Sequence, residues 1–167
     1  LIITGPRIPK DKNFDAFAYI HDIYPTLAEL AGLPKREDVD GKSLVPIIDG
    51  KQENLREVMF NAYRHTVRSV RKENWKLIRY PERDFTQLFD LANDPHEMVN
   101  LSGNPAFAGK KKELIELLGK SQIANGDTVS FTAKLLKPLA YNPDTLVRKP
   151  DQWQPDYVLK RYFELKE

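Results

Sequence analysis

Apolar and polar residues alternate on both sides of Lys72-Glu73-Asn74, with Thr66, Arg68 and Val70 before it and Trp75, Leu77 and Arg79 after it. A period of two places each trio on one side of a pleated strand, and the Lys-Glu-Asn step has turn chemistry, so the stretch predicts a hairpin. The run Val58–Tyr63 upstream and the run Gln87–Leu91 downstream offer two further strands, giving a small antiparallel sheet with one apolar face. That face needs a cover. Phe107, Leu114, Leu117 and Leu118 recur at helical spacing within residues 105–120 and predict the helix that supplies it.

Elsewhere the pattern is less regular. Leu1-Ile2-Ile3-Thr4-Gly5-Pro6 reads as the end of a buried strand, and nothing else in the sequence offers the parallel strands it would join, which marks the sequence as a fragment. A helix is expected over Ile23–Ala31, with Asp22 as N-cap, Pro25 in the first turn and Gly32 at the stop; Ile20, Ile23, Leu27, Leu30 and Ala31 form its buried stripe. A connector with one apolar patch, Leu44–Ile48, leads to the sheet. After the sheet, Asp94-Pro95-His96-Glu97 has the side chains of a capping-box-like turn. From Asn125 onward Gly126, Pro138, Pro143, Pro150 and Pro155 leave room only for short elements, so this part should run extended over the surface. A last helix is expected over Pro155–Leu165, with Tyr157, Val158, Tyr162 and Leu165 gripping the body. The domain reading is therefore 1–54 as the end of a large α/β domain, 55–124 as a sheet-plus-helix subdomain, and 125–167 as a wrapping tail.

Composition narrows the function. The 167 residues include 26 basic and 24 acidic side chains, a net charge of +2, with the two signs interspersed. No basic stripe alternates with aromatics, so nucleic acid is not an expected partner. There is no cysteine, which excludes disulfides, thiolate metal sites and a cysteine nucleophile within this sequence. No apolar run approaches the ~20 residues of a membrane span. His21, His65 and His96 lie at no ligand spacing, and no G-x-S-x-G, H-E-x-x-H or glycine-rich phosphate loop occurs.

Several short blocks carry a resemblance. Arg68-Ser-Val-Arg71, Trp75-Lys-Leu-Ile78, Gln87-Leu-Phe-Asp-Leu91, Asp94-Pro-His-Glu97 and Asn100-Leu101 follow one another in the order and spacing of the C-terminal portion of sulfatases. Upstream, Ile2-Ile-Thr-Gly-Pro6, His21-Asp-Ile-Tyr-Pro-Thr-Leu27, Ala31-Gly32 and Asp40-Gly-Lys-Ser-Leu44 resemble the same family, arylsulfatase-like members of the alkaline-phosphatase-like superfamily. The resemblance implies an α/β fold of which this is the C-terminal fragment: a small antiparallel β-sheet packed on a helix, with an extended Pro-rich tail. It implies hydrolysis of sulfate esters, aryl or glycan, in a periplasmic or secreted enzyme. The full-length enzyme would use a formylglycine made from Cys or Ser in Cys/Ser-x-Pro-x-Arg, beside a divalent cation, usually calcium. Neither part is found here; Ser43-Leu-Val-Pro46 comes nearest and has the wrong spacing and no Arg. No catalytic residue, metal ligand or cofactor is therefore expected in this fragment, which alone should be inert.

What the fragment can offer is recognition. Tyr63, Arg64, His65 and Arg68 enter the hairpin at a point that in related sulfatases lies near the active-site mouth, and guanidinium forks suit sulfate or carboxylate oxygens. The plainer reading makes Arg64 and Arg68 exposed strand residues paired with acidic neighbours. Val67 departs from relatives that carry Gln there. The expected partners are a sulfated small molecule or glycan and the remainder of its own chain. Two alternatives stand: a phosphatase or phosphonate hydrolase of the same superfamily, and a non-catalytic binding module.

Overall fold

The computed structural model describes residues 1–140 and 153–162. Four strands, β1 (Val58–Tyr63), β2 (Val67–Lys72), β3 (Trp75–Tyr80) and β4 (Phe85–Asp90), form one antiparallel sheet in sequence order. The expected hairpin forms in register, Lys72 facing Trp75, with Glu73 in the left-handed region at φ 52°. Alternation then does the sorting: Phe60, Val70, Leu77 and Leu88 lie side by side across the sheet on one face.

The cover is α3 (Ala108–Ala124), whose Leu114 and Leu118 close the buried cluster with Val70, Leu77 and Leu88. Each such leucine contributes about 1.5–3 kcal/mol by leaving water. A 3-10 turn, Pro105–Phe107, precedes α3, and the Asn104 side chain opens it by accepting from the Ala106 N–H at 3.0 Å. The helix runs past Lys120, where the apolar stripe ends, because its last turn is held by a buried Gln122. On the far edge of β4 the backbone is already occupied: Leu88 N–H donates to Asn100 Oδ1, Leu101 N–H to the Leu88 carbonyl, and Ser102 Oγ to the Thr86 carbonyl. On the far edge of β1 the Tyr19 hydroxyl donates to the Phe60 carbonyl at 2.8 Å and accepts from the Phe60 N–H at 2.7 Å.

The N-terminal part departs from expectation in three ways. Residues 1–4 form no strand, and Ile2 is 92% exposed; an isolated strand has no ladder to satisfy its amides, which turn to water instead. Helix α1 (Ile23–Leu30) forms, but its buried residue is Thr26, while Ile20 (85% exposed), Leu27 and Ala31 face outward and Ile23 and Leu30 are half-buried. Thr26 turns inward because its hydroxyl donates to the Asp22 carbonyl at 2.6 Å and accepts from the Leu44 N–H at 2.8 Å. Leu44 leads into α2 (Val45–Ile48), the expected apolar patch, with Ile47 and Ile48 buried.

Third, Asp22 precedes α1 without capping it. Its fully buried carboxylate turns away from the helix and accepts from Tyr19 N–H at 2.7 Å, Lys42 N–H at 2.8 Å and both Nη atoms of Arg56 at 2.6 and 2.8 Å. The carboxyl stays below the usual range: burial pushes it up, but the Arg56 fork and the two backbone donors outweigh that. Gly41 lets Lys42 reach this carboxylate, since a Cβ there would lie 2.2 Å from the His21 carbonyl oxygen. The Asp40-Gly-Lys-Ser block is a docking loop for the start of α1.

Asp94 binds locally, accepting from Met98 N–H at 3.0 Å and Val99 N–H at 2.8 Å, but no helix follows it. The segment after Gly126 is irregular up to residue 140, as its composition predicts. Phe131 packs against the core and its carbonyl accepts from Arg79 at 3.0 Å; Lys137 pairs with Glu82 at 2.6 Å. A short α4 (Asp156–Tyr162) occupies part of the expected last helix. Its Tyr157 is exposed and Val158 half-buried, so Tyr157 does not grip the body; its neighbours on the helix are charged and face water. Pro143, Pro150 and Leu165 lie outside the described residues.

Candidate functional site

The connection from β1 to β2 is the tight turn Tyr63-Arg64-His65-Thr66. Thr66 closes it with two bonds to the Tyr63 carbonyl, from its N–H at 3.2 Å and its hydroxyl at 3.1 Å. Arg64 adopts φ 48°, a left-handed conformation unusual for a residue with a Cβ. Tyr63 is 63% exposed, and Arg64 and His65 are exposed beside it. The Arg64 guanidinium carbon lies 5.7 Å from the centre of the Tyr63 ring. A flat aromatic next to a guanidinium fork presents a stacking surface and a bidentate anion donor in one place.

Arg68 does not share that surface. It is 2% exposed, and its guanidinium is filled from within the fold: Nε and Nη2 donate to the Asp127 carboxylate at 2.6 and 3.0 Å, and Nη1 donates to the Arg64 carbonyl at 2.7 Å and the Val67 carbonyl at 2.9 Å. Arg68 lies on the α3 side of the sheet, cross-strand from Ala62 and Arg79. The structure places Arg68 behind the turn; it has the acidic partner that the plainer reading gave it, but is buried rather than exposed. Asp127 is itself oriented: Gln122 Nε2 donates to Oδ2 at 2.9 Å and Val129 N–H to Oδ1 at 3.1 Å. The Arg68 bonds pull the Asp127 carboxyl down to about 2, against the opposing effect of burial and with help from Gln122 and the Val129 amide.

Asp127 and Gln122 escaped the sequence reading because Asp127 lies 59 positions from Arg68 and sits in a segment read only as tail. The available signal was spacing: Gln122 follows Leu114 and Leu118 at four-residue intervals and so falls on the buried face of α3.

A formylglycine and a calcium ion do not fit the residues present. There is no cysteine and no serine in a Ser-x-Pro-x-Arg setting, and among the described residues no group of three or more His, Asp or Glu side chains converges on one point. Asp22, the acidic residue next to a histidine, is saturated by Arg56 and two amides. A groove beside the start of α3, two adjoining cavities of about 450 and 550 Å³, is lined in common by Ser102, Gly103, Lys111 and Ile115 and includes none of the turn residues. No helix among the described residues is long and apolar enough to cross a membrane.

An antiparallel sheet on one helix, preceded by a docked helix and loop, is the arrangement of the sulfatase C-terminal region. Residues 1–124 match the family described as N-sulphoglucosamine sulphohydrolase, C-terminal, and the chain belongs to that family. It is 34% identical over 122 residues to a sulfatase of Formosa agariphila, covering 72% of this chain and 24% of that protein. It is 30% identical over 135 residues to an N-acetylglucosamine-6-O-sulfatase of Bacteroides thetaiotaomicron, covering 73% of this chain and 24% of that protein. Among solved structures it matches a protein in complex with its substrate D-glucosamine-2-N,6-O-disulfate, with a TM-score of 0.56, 28% identity, and 64% of this chain aligned to 24% of that one. The chain thus spans about a quarter of the length of these relatives.

Proposed function

We propose that the protein carrying this chain hydrolyses sulfate esters of a glycan, and that this segment supplies scaffold and a substrate rim formed by Tyr63, Arg64 and His65. The exposed turn carries the proposal: a guanidinium over a tyrosine ring can hold one anionic group of a sugar while the ring packs on its C–H face. The similarity to an N-acetylglucosamine-6-O-sulfatase and to a structure holding a disulfated glucosamine supports a sulfated amino sugar as the substrate class. The relatives' names favour sulfate over phosphate or phosphonate esters. A formylglycine would supply the attacking hydroxyl and calcium would draw charge from the sulfate oxygens; both belong to residues outside this sequence. We assign residues 1–54 to the junction with that larger part.

The test is kinetic. In the complete protein, Arg64→Ala should raise KM for a 6-sulfated glucosamine about tenfold with kcat little changed, the mark of an interaction made equally in ground and transition states. Wild-type KM in that variant would remove the rim from the account. The 167-residue chain alone, supplied with calcium, should release nothing from a chromogenic aryl sulfate. Turnover by it would place the reactive groups within this sequence and overturn the assignment.

A further inference from the structure

We infer that Arg68 and Asp127 are positioning residues for the substrate rim, a buried relay that fixes the backbone of Arg64 from the end of α3; the inference rests on the rim reading above. Five bonds compose the relay, each with good geometry. Gln122 orients Asp127 at 2.9 Å, Asp127 takes the Arg68 fork at 2.6 and 3.0 Å, and the remaining Nη1 spans the Arg64 and Val67 carbonyls at 2.7 and 2.9 Å. Burying a charged pair gains little stability compared with apolar side chains of the same volume, so stability alone is a weak reason for this one. Its geometry gives a better reason. The carbonyl it grips belongs to the residue at φ 48°, whose conformation an L-amino acid leaves readily unless something holds it.

Among the described residues, the turn is otherwise held by the Tyr63–Val67 pair that ends the β1–β2 ladder and by the two Thr66 bonds to Tyr63, none of which engages the Arg64 carbonyl. Without Nη1, Arg64 loses the acceptor tie that favours the left-handed state and relaxes toward right-handed φ. Its Cβ then swings and the guanidinium leaves the Tyr63 ring. Asp127 matters because it pins Nε and Nη2, leaving Nη1 one direction in which to point. A lysine at position 68 would carry the charge but could not serve Asp127 and both carbonyls in one plane. The relay also makes the last turn of α3 and the residues just beyond it, 122–129, part of the recognition apparatus although none of them belongs to the exposed turn.

A double-mutant cycle in the complete protein separates positioning from plain stabilisation. The variants are Asp127→Asn, Arg64→Gly, which tolerates positive φ but removes the side chain, and the pair together. With a 6-sulfated glucosamine as substrate, Asp127→Asn should raise KM about fivefold at nearly constant kcat, and should add nothing once Arg64 is glycine. Hydrogen exchange at the Thr66 amide, corrected for global stability, should accelerate about tenfold in Asp127→Asn. An equal KM effect in both backgrounds, or a lower melting temperature with unchanged KM and Thr66 exchange, would make the pair structural only and leave the rim reading intact. If Arg64→Gly itself keeps the wild-type KM, the rim reading falls, and Thr66 exchange still decides whether the relay holds the turn. Should Asp127→Asn not fold, Gln122→Met, which removes one bond to Asp127, is read the same way with about a twofold effect expected.

Discussion

At the scale of single residues, two buried arginine–carboxylate pairs organise the chain, and they differ in what they hold. Asp22 with Arg56 ties three stretches of backbone together; Asp127 with Arg68 ties a helix end to a turn. The Asp127 carboxyl falls from an ordinary value near 3.8 to about 2 in the folded protein. A depressed carboxyl stabilises the fold fully above its unfolded pKa, and that contribution fades as the pH drops through the folded value. The part from Asp127 is on the order of 2 kcal/mol. Urea unfolding at pH 5 and pH 2 should therefore show a smaller acid loss in Asp127→Asn than in the wild type, and identical losses would contradict the shift. Gly41→Ala is expected to cost more than about 2 kcal/mol, because the clash is with backbone that cannot rotate away; a thermal melt within a degree of wild type would contradict it. Both pairs were invisible to local pattern. The partners of Asp22 lie 20 and 34 positions away, and a carboxylate before a helix reads by default as a cap.

Among the elements, legibility followed the source of order. The hairpin and its flanking strands could be read because the same residues satisfy alternation, register and burial at once; Val70, Leu77 and Leu88 are the alternating positions and also the core. Helix α1 could be placed but not oriented. Its apolar stripe exists, yet Ile20, Tyr24 and Leu27, at helical spacing, face away from the sheet while Thr26 is buried. A polar residue took the inward position because two backbone groups there needed a partner. The consequence is an apolar helix face without a cover among the described residues. The isolated chain should self-associate through it, and Leu27→Lys should lower the mass seen by light scattering. A clean monomer of the unaltered chain would show that this face is not a contact surface.

Taken as a whole molecule, the chain is a small sheet with a different escort on each side. On one face α3 seals an apolar core. On the other, residues before α1 approach the sheet, with Arg71 over the Phe17 ring at 5.0 Å and Arg56 bonded to the Phe17 carbonyl at 3.0 Å. The β4 edge is sealed by the backbone and side chains of residues 100–102. Among the described residues the β1 edge is the less covered one, and there the single Tyr19 hydroxyl occupies both the donor and the acceptor of Phe60. One phenol thus imitates the next strand of the ladder. It denies a foreign peptide a foothold at Phe60, and so works against the sheet growing by addition of another strand there.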